Sequence, residues 1–417
     1  MDIMAFDGNE EEILFNGNIY YQINDRHEII ITRSRASVTE AVIPSEINGM
    51  PVTEIRGSAF NGKTRLTKVV IPCTVTKIGD YAFYQCTRLN EIDIPSSVTE
   101  IGWNILKDTP WLQNQPEGCI LVGNNILIAY QGEPQQVVIP EGVTAIAGCA
   151  FENLKSMMSV IIPESVKIIG GLAFSGCTKL TECTVPEGVR KIEAYAFNWC
   201  EALQRVTIAD SVETIGNHAF LGCSALISVK LPKNLSRIET AVFCGCTSLT
   251  KITIPEHITD IGSQAFMHCI SLSEVKLHKG IVSIGPDAFE GCTGLSRLMV
   301  YNENCYIAGS EKTISPNTTI YGFRESTAQF YAQSYERQFI IVSLLEGDMN
   351  DDGTVNVADA TILLSIYAKY AAHCINHIDA FDIAAGDINR NGTLDIGDAT
   401  NILKLYADKG AGFELDK

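Results

Sequence analysis

Apolar residues fall into one recurring phrase through the middle of the chain. Phenylalanine stands at 60, 83, 151, 174, 197, 220, 243, 266 and 289, in steps of 23 residues apart from one gap of 68. Leu106 fills the place 23 residues after Phe83, which leaves one long unit before Phe151 and makes ten units in all. A typical unit reads LTKITIPEHITDIGSQAFMHC (249–269). Its opening, Leu-x-x-[Ile/Val]-x-[Ile/Val/Leu], sets three apolar side chains at spacings of 3 and 2 and predicts a short strand with one buried side. Proline at 72, 95, 163, 186, 232 and 255 then stops the strand. Val-x-x-Ile-Gly and a tight Ala-Phe-x-x-Cys turn complete the unit. One such unit cannot bury its own apolar edge, so neighbours must stack.

The strand phrase is that of leucine-rich repeats. The wording IPxxVxxIGxxAFxxCxxL resembles the bacterial BspA-like leucine-rich repeats over about residues 13 to 343, including the inserted unit from Thr109 to Gly118 and the closing segment TIYGFRESTAQFYAQSYERQF. The expected fold is therefore a repeat solenoid of β-strand/turn units of the α/β leucine-rich-repeat type, filling residues 1–344 with caps at both ends and core repeats at 41–300. The resemblance implies protein–protein contact or adhesion, with no particular ligand.

Seven of the 14 cysteines share one repeat position: Cys86, Cys177, Cys200, Cys223, Cys246, Cys269 and Cys292. A disulfide framework and a ladder of small buried thiols both suit an even count in a secreted chain. Parallel stacked side chains point the wrong way for a disulfide, which favours the ladder. Gly57 to Thr64 matches the phosphate-loop pattern GxxxxGK[ST], but Ala59-Phe60 is the repeat's own turn and the next strand begins at Leu66. The strand and helix that this chemistry needs are thus missing. His373 and His377, four apart, read as a solvated helix face. No HExxH, GxSxG or nucleophile–base arrangement stands out.

Between the apolar strand positions lie the outward ones. In the later repeats these include Glu182, Arg205, Lys230, Lys251, Glu274, Lys276 and Arg297. They read either as a solvated face or as a locally basic strip for an acidic protein or a uronic-acid polymer. They lack the aromatic platforms that sugar rings need.

After Val342 the repeat ends and two segments follow one template. Asp348, Asn350, Asp352, Thr354, Asn356 and Asp359 stand at loop positions 1, 3, 5, 7, 9 and 12, with Gly353 at 6; Asp387, Asn389, Asn391, Thr393, Asp395 and Asp398 repeat the pattern around Gly392. Hard Ca2+ takes six to eight oxygens in this arrangement, that at position 7 from the backbone carbonyl. Each loop runs into an apolar-periodic helix, with none before it, which makes half EF-hands. Duplicated units of this form resemble a type I dockerin over residues 346–417: a small all-α module holding two structural Ca2+ ions. The resemblance implies binding to a cohesin module of a scaffoldin through loop positions 10 and 11 and the first helical turns. Here those are Val357, Ala358, Leu364 and Ser365, then Ile396, Gly397, Leu403 and Lys404. Many dockerins carry a Ser-Thr pair at 10 and 11; these residues also suit a buried core.

The formal net charge of -18 argues against nucleic acid or an anionic membrane as partner. No apolar run is long enough to span a bilayer. The acidic start MDIMAFDGNEEE shows no secretion signal, so secretion is inferred from the C-terminus and implies a leader already removed. Repeat and loops occupy nearly all the chain, so the expectation is a non-catalytic, extracellular cellulosome component in plant polysaccharide degradation. The alternatives are a carbohydrate-active enzyme accessory and a regulatory or inhibitory partner of a co-assembled hydrolase or peptidase.

Overall fold

Each 23-residue unit closes into one coil because its apolar positions alternate between two short strands and a turn. The structure, a computed structural model, describes residues 13–15, 17–342, 347, 349, 355–372, 386–389 and 393–410. In a regular coil the first strand (Lys251–Thr253) points Ile252 inward, Pro255 ends it, and a two-residue strand (Asp260–Ile261) follows. Both strands pair in parallel with their counterparts one coil away, as Arg205 with Ser228 and Lys191 with Thr214. The result is two parallel stacks joined by a column of turns. The expectation of an α/β-type coil is corrected: the coils are β and turn only, because Ile-Gly ends the second strand after two residues and the next residue but one turns left-handed. Ser58, Tyr81, Asn104, Cys149, Leu172, Tyr195, His218, Ala241, Gln264 and Asp287 all hold φ between 50° and 63° at this place.

Stacking places each phenylalanine on the last. From Phe151 to Phe289 the ring centroids are 5.0 to 5.7 Å apart with planes within 4 to 12°. Offset parallel rings of this kind add about 0.5–1.5 kcal/mol per pair beyond the area they bury. The cysteines form a second buried column, each thiol donating to the Phe carbonyl of the preceding coil, as Cys200 Sγ to Phe174 O at 3.1 Å and Cys246 Sγ to Phe220 O at 3.3 Å. Among the described residues all cysteines are free, so the ladder is the arrangement found. Burial pushes the thiols up, to about 11 for Cys86 and about 12 for Cys177, Cys223 and Cys292.

The caps close this core. At the start, antiparallel strands Ile13–Phe15, Ile19–Ile23 and Ile29–Ser34 lead into Met50–Ile55. At the end, Ile314 takes the place after Phe289, bridged to it in parallel, and its N–H donates to Tyr331 Oη at 3.1 Å. Tyr331 lies on a short cap helix, Thr327–Ser334, before the last strand, Phe339–Ile341.

The insert splits the solenoid. A short helix (Pro110–Gln113) leads to a hairpin of strands Gly118–Val122 and Ile126–Gln131. The second hairpin strand pairs with Ala145–Ile146, but neither pairs with Glu100–Ile101 of the preceding coil. Two apolar cores result, one from Ile19 to Leu106 with the hairpin's Ile120, Ile126 and Ile128, the other beginning at Leu127. Tyr130 fills the missing place in the ring column, 5.7 Å from Phe151.

Candidate functional site

The helix α1 (Val357–Ala371) and the helix α2 (Ile396–Gly410) each start on a polar cap that belongs to a loop. Asn356 Oδ1 accepts from Ala358 N at 2.7 Å, and Asp395 Oδ1 from Gly397 N at 2.6 Å. The carboxylate at position 12 then reaches back over each loop. Asp359 accepts from Asn356 N at 2.7 Å and Met349 N at 2.8 Å; Asp398 accepts from Asp395 N at 2.9 Å and Asn389 N at 3.2 Å. Both carboxylates are 0% exposed, and a buried charge is tolerated only when hydrogen-bonded in this way. A constant step of 39 residues pairs Val355 with Leu394, Ala360 with Ala399 and Leu363 with Ile402 in one small core.

Of the expected calcium ligands, Asp348, Asn350, Asp352, Thr354 and Asn391 lie outside the described residues, as do His373 and His377. Asn356, Asp359, Asp387, Asn389, Thr393, Asp395 and Asp398 are described. Among the described residues no three His, Cys, Asp or Glu side chains form a metal-holding group.

All eight residues named for cohesin contact are exposed, and none belongs to the buried core. Val357 and Ile396 are 51% and 59% exposed, Leu364 and Leu403 40% and 41%. Large apolar side chains thus stand in solvent at matching places of the two halves. Tyr370 and Tyr406 are exposed beside them and were missed, because tyrosine at these spacings reads as part of the apolar stripe.

The solenoid strip is less basic than its sequence reads. Glu182, Arg205, Lys230 and Lys251 are exposed, while Glu274, Lys276 and Arg297 are half-buried. Glu182 faces Arg205 in register, Arg297 pairs with Glu274 at 3.2 Å, and Asp210 lies 3.6 Å from Lys230. The strip ends on Tyr321, whose ring carries the Arg297 guanidinium at 5.1 Å. At Gly57 to Thr64 the chain is turn throughout, the following strand is Lys68–Val70, and no helix follows the glycines. The phosphate-loop reading is excluded by that context.

The chain matches the family described as BspA type leucine rich repeat region, in six copies, over residues 43–115, 129–246 and 214–311, more than half of its length. It belongs to that family. Solved structures similar to this BspA-type chain include a leucine rich cell surface protein from Faecalibacterium prausnitzii, 26% identical, covering 73% of this chain and 97% of the other, at a TM-score of 0.30. A leucine-rich repeat protein from Bacteroides ovatus is 24% identical, over 79% and 100%, at 0.34. Another from Eubacterium ventriosum is 23% identical, over 68% and 95%, at 0.42. No curated protein matches the chain. No helix among the described residues of the BspA-type chain is long and apolar enough to cross a membrane.

Proposed function

We propose that this is a non-catalytic, secreted cellulosome component: residues 346–417 form a dockerin that docks on a cohesin module of a scaffoldin, and the BspA-type solenoid in residues 1–344 contacts a protein partner or surface. The observation that supports docking most strongly is the duplicated exposed pair, Val357 with Leu364 and Ile396 with Leu403, carried on two equivalent loop–helix units. Exposed large apolar residues on a small module mark an interaction site when they cluster. Here each pair stands one to two turns apart on one helix, so either half presents the same surface.

Calcium fits the loops by the chemistry of their donors. The side chains of Asn356, Asp359, Asp387, Asn389, Asp395 and Asp398 and the Thr393 carbonyl offer oxygen only, which suits a hard cation and disfavours a thiophilic one. Bound calcium would supply folding energy, since ligands in a loop are not assembled in the unfolded chain. Asp359 and Asp398 meanwhile tie each loop to its helix through backbone N–H groups.

The test is a set of three full-length variants titrated against cohesin modules: Leu364→Asp, Leu403→Asp and both together. If either half serves, each single variant keeps binding and the double variant loses at least about 30-fold, the effect of removing a contact worth about 2 kcal/mol. A double variant that folds and binds every cohesin as the parent does contradicts the proposal.

A further inference from the structure

The turn column carries its own backbone ladder, and the insert breaks it. In a regular coil alternate N–H groups donate to the next coil's carbonyls: Leu172, Phe174 and Gly176 to Ala194, Ala196 and Asn198 at 3.1, 2.7 and 2.9 Å. One coil earlier Cys149, Phe151 and Asn153 donate to Gly171, Ala173 and Ser175 at 3.0, 2.8 and 2.7 Å. Asn104, Leu106 and Asp108 hold the same donor places in the last coil of the first block. Their N–H groups meet no acceptor among the described residues. On the facing coil Tyr130 N takes the Ala150 carbonyl at 3.0 Å, while the flanking carbonyls of Gly148 and Glu152 receive no donor among the described residues.

Between these two edges lies a cleft of about 300 Å³, lined on one side by Asn104, Leu106 and Lys107 and on the other by Ala150 and Glu152. Its size is at the lower end of ligand pockets. Ile105, Ile128, Phe151 and Leu154 give it an apolar floor. Lys107 Nζ and Glu152 Oε2 meet at 3.1 Å and bridge the two sides. Leu106 is 1% exposed, and a buried N–H without a partner is rare in folded proteins.

We propose that this cleft binds a partner polypeptide, whose main chain lies in it as a replacement coil. Its carbonyls accept from the N–H groups of Asn104, Leu106 and Asp108, and its own N–H groups donate to the Gly148 and Glu152 carbonyls. Main chain is the fitting occupant because it alone carries a donor and an acceptor on every residue. A sugar or an anion does not match donors at every second residue on one edge and acceptors on the other. The mode is that of strand addition at an open edge, with the apolar floor selecting a side chain. This site is independent of the C-terminal loops and of the docking proposed for them.

The experiment uses the full chain, isotope-labelled, and a synthetic peptide with the sequence of one regular turn, Arg56 to Leu66 (RGSAFNGKTRL). Saturable amide shifts at Asn104, Leu106, Asp108, Gly148 and Glu152 are expected. A peptide of the same sequence with alternate amides N-methylated should bind at least about tenfold more weakly, having lost its donors. In Lys107→Ala the bridge no longer has to open, and the parent peptide should bind up to about fivefold more tightly. No saturable shift at these amides, or equal binding of the methylated peptide, overturns the proposal.

Discussion

Trp103 lies across two glycines of the following coils, its five-membered ring over Gly148 and its six-membered ring over Gly171. A Cβ on Gly148 would fall within the indole, so the glycine is fixed by packing. The indole spans the junction where both strand ladders stop. Gly148→Ala is expected to lower stability by about 1–3 kcal/mol, the usual effect of overfilling a packed site. Urea unfolding of Gly148→Ala, Trp103→Ala and the double variant forms the check. The double variant should lose less than the two single losses added together, since removing the indole makes room for the methyl.

The thiol ladder makes a prediction about pH. Burial raises Cys177, Cys223 and Cys292 to about 12 from the ordinary 9.0. A group whose pKa is higher in the folded state binds its proton more tightly there. Its contribution is therefore complete below pH 9 and is lost as pH rises from 9 toward 12. Stability should fall steeply over that window and be flat with respect to these thiols below it. At pH 8 an alkylating reagent should modify the exposed Cys73 quickly and the ladder cysteines only on unfolding.

Phe220 sits fully buried between Phe197 and Phe243, with rings 5.3 and 5.7 Å away. Phe220→Ala should reduce stability by about 3–5 kcal/mol through lost burial and the cavity left in the column. Thermal unfolding followed by circular dichroism measures it. A loss below 1 kcal/mol would mean that the neighbouring coils close over the gap.

The solenoid was legible in the sequence because its signal is repeated. Nine phenylalanines in one register fix which turn is buried, and prolines after the strand fix where it stops. The second strand was not legible. Two residues such as Asp260-Ile261 are too few to show a period. The left-handed turn position was hidden too, since Tyr195, Leu172 and Ala241 occupy it and none signals positive φ. What holds them there is the ladder of N–H groups to the next coil, a tertiary effect. At the C-terminus the loop chemistry could be read directly, position by position. The sequence left open whether Val357, Leu364, Ile396 and Leu403 face the core or solvent, because an apolar residue on a two-helix module fits either. The structure turns all four outward.

The same exposed residues decide the central claim, that the C-terminal loops anchor the protein through calcium. Calorimetric titration of the full chain against a panel of cohesin modules, with calcium and then with EDTA, tests it most directly. The account predicts tight binding to one class in calcium, its loss in EDTA, and an unchanged melting transition for the solenoid. Binding that survives EDTA, or no binding to any cohesin while calcium is bound, would contradict it.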